Sequence, residues 1–281
     1  MSISRSRRFY AALTAVAALL ILVFYLFPYW WVVTTSFRTQ DEERASPFVW
    51  FPNPVHLDNY RGILLENVFD IMTGLKNTLI VSFATTLICV FLGVLAGYGY
   101  ARIPFRGRSA SITLVLATWT IPWLLVLIPL WAILYELKLV DTKTGLVIGY
   151  SSGFVPITTW IMLGHFKSLP ADMEDSARID GCSRVGALFR IILPISTPAI
   201  MAAGVFAFIS SMGEFIFTLI TTMTNNSRTL TIMLSMLVSK FVTEKTIMAA
   251  GTIIACIIPV VLVMIFQRYL IAGLSAGAVK G

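Results

Sequence analysis

The sequence predicts an all-α polytopic membrane protein with six transmembrane helices and one ordered loop outside the bilayer. Composition is the first reason: of 281 residues, 57% are hydrophobic and 12% charged, and the mean hydropathy is +0.84, beyond the range of soluble domains. Patterning is the second, because the apolar residues gather in runs long enough to cross ~30 Å of hydrocarbon. The third is the segment from about 165 to 195, too charged for hydrocarbon yet flanked on both sides by apolar runs.

Taken in order, residues 1–8 form a short terminus carrying Arg5, Arg7 and Arg8, and an apolar run follows from 9 to about 37. The run is too long for a signal peptide and has no small-residue cleavage site, so it predicts an uncleaved first span with Tyr29, Trp30 and Trp31 as an aromatic belt. Residues 38–73 are of mixed polarity. Pro47, Pro52 and Pro54 force extended chain there, before a short helix beginning at Asp58 whose apolar face is Tyr60, Ile63 and Leu64. The second span, about 75–100, holds Gly93 and Gly97, a spacing that lets helix backbones approach closely.

The third span, 110–137, contains Pro122 and Pro129, so kinks are expected, with Thr118 and Thr120 placed to bond backbone groups freed nearby. The fourth runs from 145 to about 166. In the fifth, roughly 198–222, Ala203, Ala207, Ser211, Glu214, Thr218 and Thr221 recur every three or four residues and predict one small, polar stripe facing protein or water. Residues 230–245 read as a partly embedded outer helix ending in Lys240, Glu244 and Lys245. The sixth span, about 246–270 with Pro259 inside, closes a membrane domain of residues 9–271, and 272–281 form a tail.

The charged loop reads as two short helices and a bend. Pro170 suits a first helical turn, and Asp172, Glu174 and Asp175 sit near the positive end of the helix dipole. Gly181 is placed to end that helix and Ser183 to cap the next, in which Val185, Leu188, Phe189 and Ile192 would make one apolar stripe. Pro194 and Pro198 mark the return to the membrane.

These residues carry a resemblance. Asp175-Ser176-Ala177, three residues, Gly181, nine residues, then Ile191-Ile192-Leu193-Pro194 resembles the EAA loop of permease subunits in binding-protein-dependent ABC importers. That pattern is Glu-Ala-Ala, three residues, Gly, nine residues, then Ile-x-Leu-Pro. Asp175 and Ser176 depart from it, and Glu174 supplies a carboxylate one residue early; the spacing is intact. The segment Phe51-Pro52-Asn53-Pro54 with Leu57-Asp58-Asn59-Tyr60 is similar to the segment after the first helix in sugar-type permeases, and the tail Ala272 to Gly281 resembles the end of maltose-type sugar permeases, in which two different permeases pair.

The resemblance implies that Met173, Glu174, Asp175, Ser176, Ala177, Asp180 and Gly181 couple to a separate ATPase. It implies that Ser275, Ala276, Gly277, Val279 and Lys280 dock on the same partner. It further implies a second permease, a dimer of ATPase subunits holding the ATP and Mg, an extracytoplasmic solute-binding protein and a carbohydrate substrate. No cofactor falls to this chain itself.

Six spans put both termini and the charged loop on one side. Twelve of the 21 basic residues lie there against four acids, a net of +8, while nine bases and nine acids balance on the other side. Bases packed close to span ends mark the cytoplasmic side, which predicts a plasma (inner) membrane protein of a prokaryote with cytoplasmic termini. A pI near 9.5 therefore follows the membrane and argues no nucleic-acid partner.

Glu214 remains as the one acid within a span, at a cost of at least ~2.5 kcal/mol on insertion scales. With Ser211 and Thr218 it is the candidate lining of a translocation pathway; packing between helices is the other reading. Related permeases carry Trp-Asn-Glu-Phe here, of which Met212-Gly213-Glu214-Phe215 keeps the second half. Enzyme chemistry finds no footing. There is no G-x-x-x-x-G-K-[ST] phosphate loop and no Gly-x-Ser-x-Gly elbow; His56 and His165 fall on opposite sides, and Cys89, Cys182 and Cys256 are scattered. The alternative is an ion-coupled secondary transporter with Glu214 as relay, which predicts inverted repeats.

Overall fold

The structure is a computed structural model that describes residues 2–47, 49–179, 181–238 and 244–278. Every extended element among them is helical, as expected, and no strand occurs among the described residues. Four helices are long and apolar enough to cross a membrane: Tyr10–Ser36, Val68–Arg102, Lys143–Ser168 and Lys245–Tyr269. Two bent pairs bring the total to as many as six if each pair counts as one span.

The chain divides into two compact units, the first comprising Met1–Ile71 and Leu234–Cys256. Its α1 (Ser2–Ser36) is apolar all round, and every residue from 10 to 29 is exposed, the state of a helix made to face lipid or another chain rather than water. Trp30 and Trp31 do not stand alone as a belt. Trp50 stacks on Trp30 at 6.3 Å and meets Trp31 edge-on at 5.8 Å, and the wholly buried Arg38 donates to the Trp50 carbonyl at 2.8 Å.

Within the stretch expected to be extended, α2 (Gln40–Arg44) forms on a capping box, Thr39 and Glu42 each bonding the other's backbone N–H. The helix expected at Asp58 is α3 (Asp58–Glu66), with Ile63 buried.

The second unit, Met72–Met233 with Ile257–Gly281, is built on two parallel helices, α4 (Ile71–Arg102) and α7 (Lys143–Ser168). Their seam follows the two glycines. A Cβ on Gly93 would lie 2.9–3.1 Å from Thr158 atoms, and one on Gly97 would lie 2.7 Å from the Met162 Cβ and 2.9 Å from the Leu163 nitrogen. Only glycine permits that approach.

The third span is broken rather than kinked. α5 (Arg108–Ala117) and a 3-10 turn (Thr118–Thr120) meet α6 (Trp123–Glu136) at 99°. The break lies at Ile121-Pro122, where proline forces the residue before it out of the helical region; Pro129 is accommodated inside α6.

α8 (Asp172–Ile179) is the first loop helix, beginning two residues after Pro170. Gly181 ends it at φ +88°, and the Ser183 hydroxyl accepts from the Gly186 N–H, as the sequence predicts. The second loop helix departs from the predicted stripe. After α9 (Arg184–Ala187) the chain makes a π turn over Leu188–Ile192 before α10 (Leu193–Ile195). That wider turn keeps Leu188 and Ile192 buried but leaves Val185 and Phe189 exposed.

The second bent pair joins Arg184–Ile195 to α11 (Thr197–Met212) at 76°, and α11 with α12 (Ile216–Thr221), interrupted at 213–215, covers the predicted fifth span. Its small, polar stripe faces protein: Ala203, Ala207, Ser211, Thr218 and Thr221 are all buried. α13 (Leu230–Met236) holds buried Leu230, Ile232 and Met233, and Lys240 lies outside the described residues. α14 (Lys245–Ala278) is the sixth span, and its backbone helix continues through the residues of the tail as far as 278.

Candidate functional site

Three places in the second unit carry polar chemistry, and the loop helix α8 is the best defined. Its two faces differ in kind. Glu174 and Ala177 are buried, whereas Asp172, Met173, Asp175, Ser176 and Ile179 are exposed. Asp175, at the motif's Glu position, pairs among the described residues only with Arg178 on the surface, at 3.7 Å, a contact worth little. The early carboxylate Glu174 is the anchored one.

Tyr98 donates its hydroxyl to Glu174 Oε1 at 2.8 Å, and Arg102 Nε stands 3.7 Å from Glu174 Oε2. Arg102 Nη2 also donates to the Leu169 carbonyl at 2.8 Å. Tyr98 and Arg102 are one helical turn apart on the last turn of α4, so one face of that helix grips both the entry to α8 and its first turn. Beneath them Tyr98, Met162, Phe166, Leu188 and Ile192 share one core with Ala199 and Ala203 of α11. Asp180, expected to act here, lies outside the described residues, as do Val279 and Lys280 of the tail.

The second place is an open cleft of about 1240 Å³ between the broken third span and α7. Trp119, Trp123, Tyr150, Ser152, Ser210 and Glu214 are among its walls. Glu214 does not sit in mid-helix. Its Oε1 accepts from the Phe217 N–H at 2.9 Å, and its Oε2 from the Thr218 N–H and hydroxyl, both at 3.2 Å. The carboxylate thus caps α12 across the helix break, with one edge on the cleft. Ser211 and Thr218 lie in the packed interior behind it, Thr218 hydrogen-bonded to the Tyr150 hydroxyl. The two tryptophans escape a sequence reading because their common wall forms only when the chain turns at Pro122.

The third place is the loop between α12 and α13, at the end of the unit away from α8. Asp141, at φ +59° in the turn before α7, accepts from the Met223 N–H at 2.8 Å, the Thr224 N–H at 3.0 Å and the Ser227 hydroxyl. Asn77 donates to the Asn225 and Arg228 carbonyls, both at 2.9 Å. Burial alone would raise the Asp141 pKa, but the bonds from Ser227, Thr224 and Met223 outweigh it and hold the group at about 2.

No group of three or more His, Cys, Asp or Glu side chains placed to hold a metal occurs among the described residues. Comparison with known proteins shows which family carries these features. Residues 89–276 match the family of binding-protein-dependent transport system inner membrane components. The chain belongs to that family.

It is 32% identical to the sulfoquinovosyl glycerol transport system permease protein of Agrobacterium fabrum, over 95% of this chain and 93% of that one. It is also 32% identical to the trehalose/maltose transport system permease protein of Thermococcus litoralis, over 96% of each. In fold it is similar, with TM-score 0.77 and 20% identity, to a chain of a bacterial ABC transporter involved in the import of the acidic polysaccharide alginate, covering 94% of this chain and 98% of that one. The permease is therefore a multi-pass inner-membrane subunit of a binding-protein-dependent ABC importer and not itself an ATPase. Membership decides against the ion-coupled alternative.

Proposed function

We propose that this permease forms one half of the membrane pathway of a carbohydrate importer, paired with a second permease and driven by a dimer of ATPase subunits that bind the ATP and Mg. The observation that carries the coupling half of the proposal is the two-faced α8. Its buried face is tied to α4, while its outer face leaves Met173, Asp175, Ser176 and Ile179 free to seat in a partner. The basic residues gathered near this loop support a cytoplasmic orientation for it and for both termini.

A carbohydrate cargo is supported by the saccharide names of the relatives and by a cleft in which Trp119 and Trp123 stand beside hydroxyls and one carboxylate. Flat aromatic faces next to a few polar groups suit pyranose rings. In this reading Glu214 lines the path, Ser211 and Thr218 support it from behind, and the tail from Ser275 through Ala276 and Gly277 reaches the ATPase at the end of α14. Transport then needs the ATPase and the loaded solute-binding protein to favour the same conformation of the pathway.

Co-purification of the tagged chain in mild detergent tests the assembly. Recovery of an ATPase, a second permease and a solute-binding protein that binds a saccharide is the expected result. Recovery of the chain without an ATPase, or with a solute-binding protein that binds no saccharide, would refute the corresponding half.

A further inference from the structure

The buried contacts of Glu174 lie on the face of α8 opposite the one proposed to seat a partner. We infer that Tyr98 and Arg102 are positioning residues that lock α8 to the end of α4, so that a displacement of α8 is delivered to α4 directly as well as along the chain through α7. This rests on the coupling role proposed for α8.

Geometry carries the inference. The covalent route into α8 passes through Leu169, Pro170 and Ala171, three residues outside any helix. A hinge of that kind transmits push and twist poorly, because each residue can absorb rotation. Arg102 removes that freedom at Leu169 by a 2.8 Å hydrogen bond to its carbonyl, and Tyr98 removes it one turn into α8 by a 2.8 Å bond to Glu174. The hydroxyl and the carboxylate are both buried, so neither has water as an alternative partner.

The receiving element is stiff. α4 is 32 residues of unbroken helix locked along α7 at Gly93 and Gly97. The latch also has travel left in it: Arg102 Nε is buried with no hydrogen-bond partner among the described residues and stands 3.7 Å from Glu174 Oε2. A shift of α8 towards α4 of less than ~1 Å would convert that ion contact into a hydrogen bond.

The test uses the whole importer in proteoliposomes, measuring ATP hydrolysed and substrate taken up in the same vesicles, with assembly followed by recovery of the ATPase. Tyr98→Phe removes one oxygen and leaves the ring's edge-on contact with Phe166. It is expected to assemble fully and to lower substrate moved per ATP by about tenfold, the scale of one buried hydrogen bond to a charged group. Glu174→Gln keeps an acceptor for Tyr98 but loses the charge beside Arg102, so its fall should be smaller, and the double variant should be no worse than Tyr98→Phe alone.

An unchanged ratio in Tyr98→Phe, or uptake and hydrolysis lost in proportion, would overturn the inference. If Tyr98→Phe does not assemble, an unchanged ratio in Glu174→Gln overturns it and a lowered one supports it. Gly181→Pro separates the underlying reading, because proline cannot adopt φ +88°. Uptake retained in Gly181→Pro would refute coupling through α8 itself, whereas uptake lost there with an unchanged ratio in Tyr98→Phe refutes only the latch.

Discussion

Gly97→Ala and Gly99→Ala differ by two positions and should have opposite effects. Both replace a helical glycine in α4, and both gain ~0.5–1 kcal/mol of backbone preference from the change. At Gly99 nothing lies within 4 Å of the added methyl, so that gain stands alone. At Gly97 the methyl would meet the Met162 Cβ at 2.7 Å, the Leu163 nitrogen at 2.9 Å and the Met162 carbonyl carbon at 3.1 Å.

Two of those three atoms are backbone and the third is attached to it, so no rotamer change relieves the clash; α4 and α7 must separate. Overpacking of this kind costs ~1–3 kcal/mol, which exceeds the propensity gain. The net expectation is a loss of ~1–2 kcal/mol for Gly97→Ala and a gain of up to ~1 kcal/mol for Gly99→Ala. Unfolding in mixed detergent micelles measures both. Equal stability of the two variants would refute the close seam between α4 and α7.

Three further expectations follow from the other two sites and the outer face of α8. The Asp141 pKa is depressed in the folded protein, so its stabilisation is complete above the ordinary value of 3.8 and is lost as pH falls through about 2; thermal stability should hold down to the first value and drop below it, and Asp141→Asn should flatten that drop and speed hydrogen exchange at Met223 and Thr224. Glu214→Gln leaves one acceptor oxygen where α12 uses two and should cost ~1 kcal/mol as a weakened cap; altered uptake would mark a pathway role, and unchanged uptake at lowered stability would leave Glu214 as a cap alone. Reversal of Asp175 to Lys acts on the exposed face of α8 and should abolish uptake without loss of membrane insertion, as read by uptake and membrane fractionation; undiminished uptake would refute that face as the docking surface.

The spans were legible because hydrocarbon imposes a length and a composition on any helix that crosses it, and the glycine pair in α4 because small residues four apart have one common use in such helices. Gly181 and Ser183 were legible for a local reason: a left-handed residue and an N-cap act on their immediate neighbours. The Thr39–Glu42 capping box is equally local and lies in plain view, though the nearby prolines draw the segment towards extended chain.

Long-range pairings left no such trace. Tyr98 and Arg102 stand four apart at the end of an apolar run, but their partner Glu174 is more than seventy residues away, and Asp141 finds its partners across a similar separation. Glu214 misled in a different way. The periodicity that placed it on a continuous helical stripe cannot reveal that its carboxylate folds forward onto the next helix and so permits the break.

The two breaks share one physical logic. Each leaves helix-end backbone groups in need of partners. At the first, the Thr118 and Thr120 hydroxyls donate to the Val115 and Ala117 carbonyls. At the second, Glu214 accepts from two N–H groups. Thr118, Trp119, Thr120 and Glu214 all line the same cleft, which is where irregular backbone at membrane depth is tolerated: beside a cavity, not beside lipid. The opposite holds along α4 and α7, where glycine contact and unbroken helix leave no slack. A displacement arriving at α8 therefore meets its stiffest support first, and the part of the unit with room to change shape is the cleft bounded by the two interrupted spans.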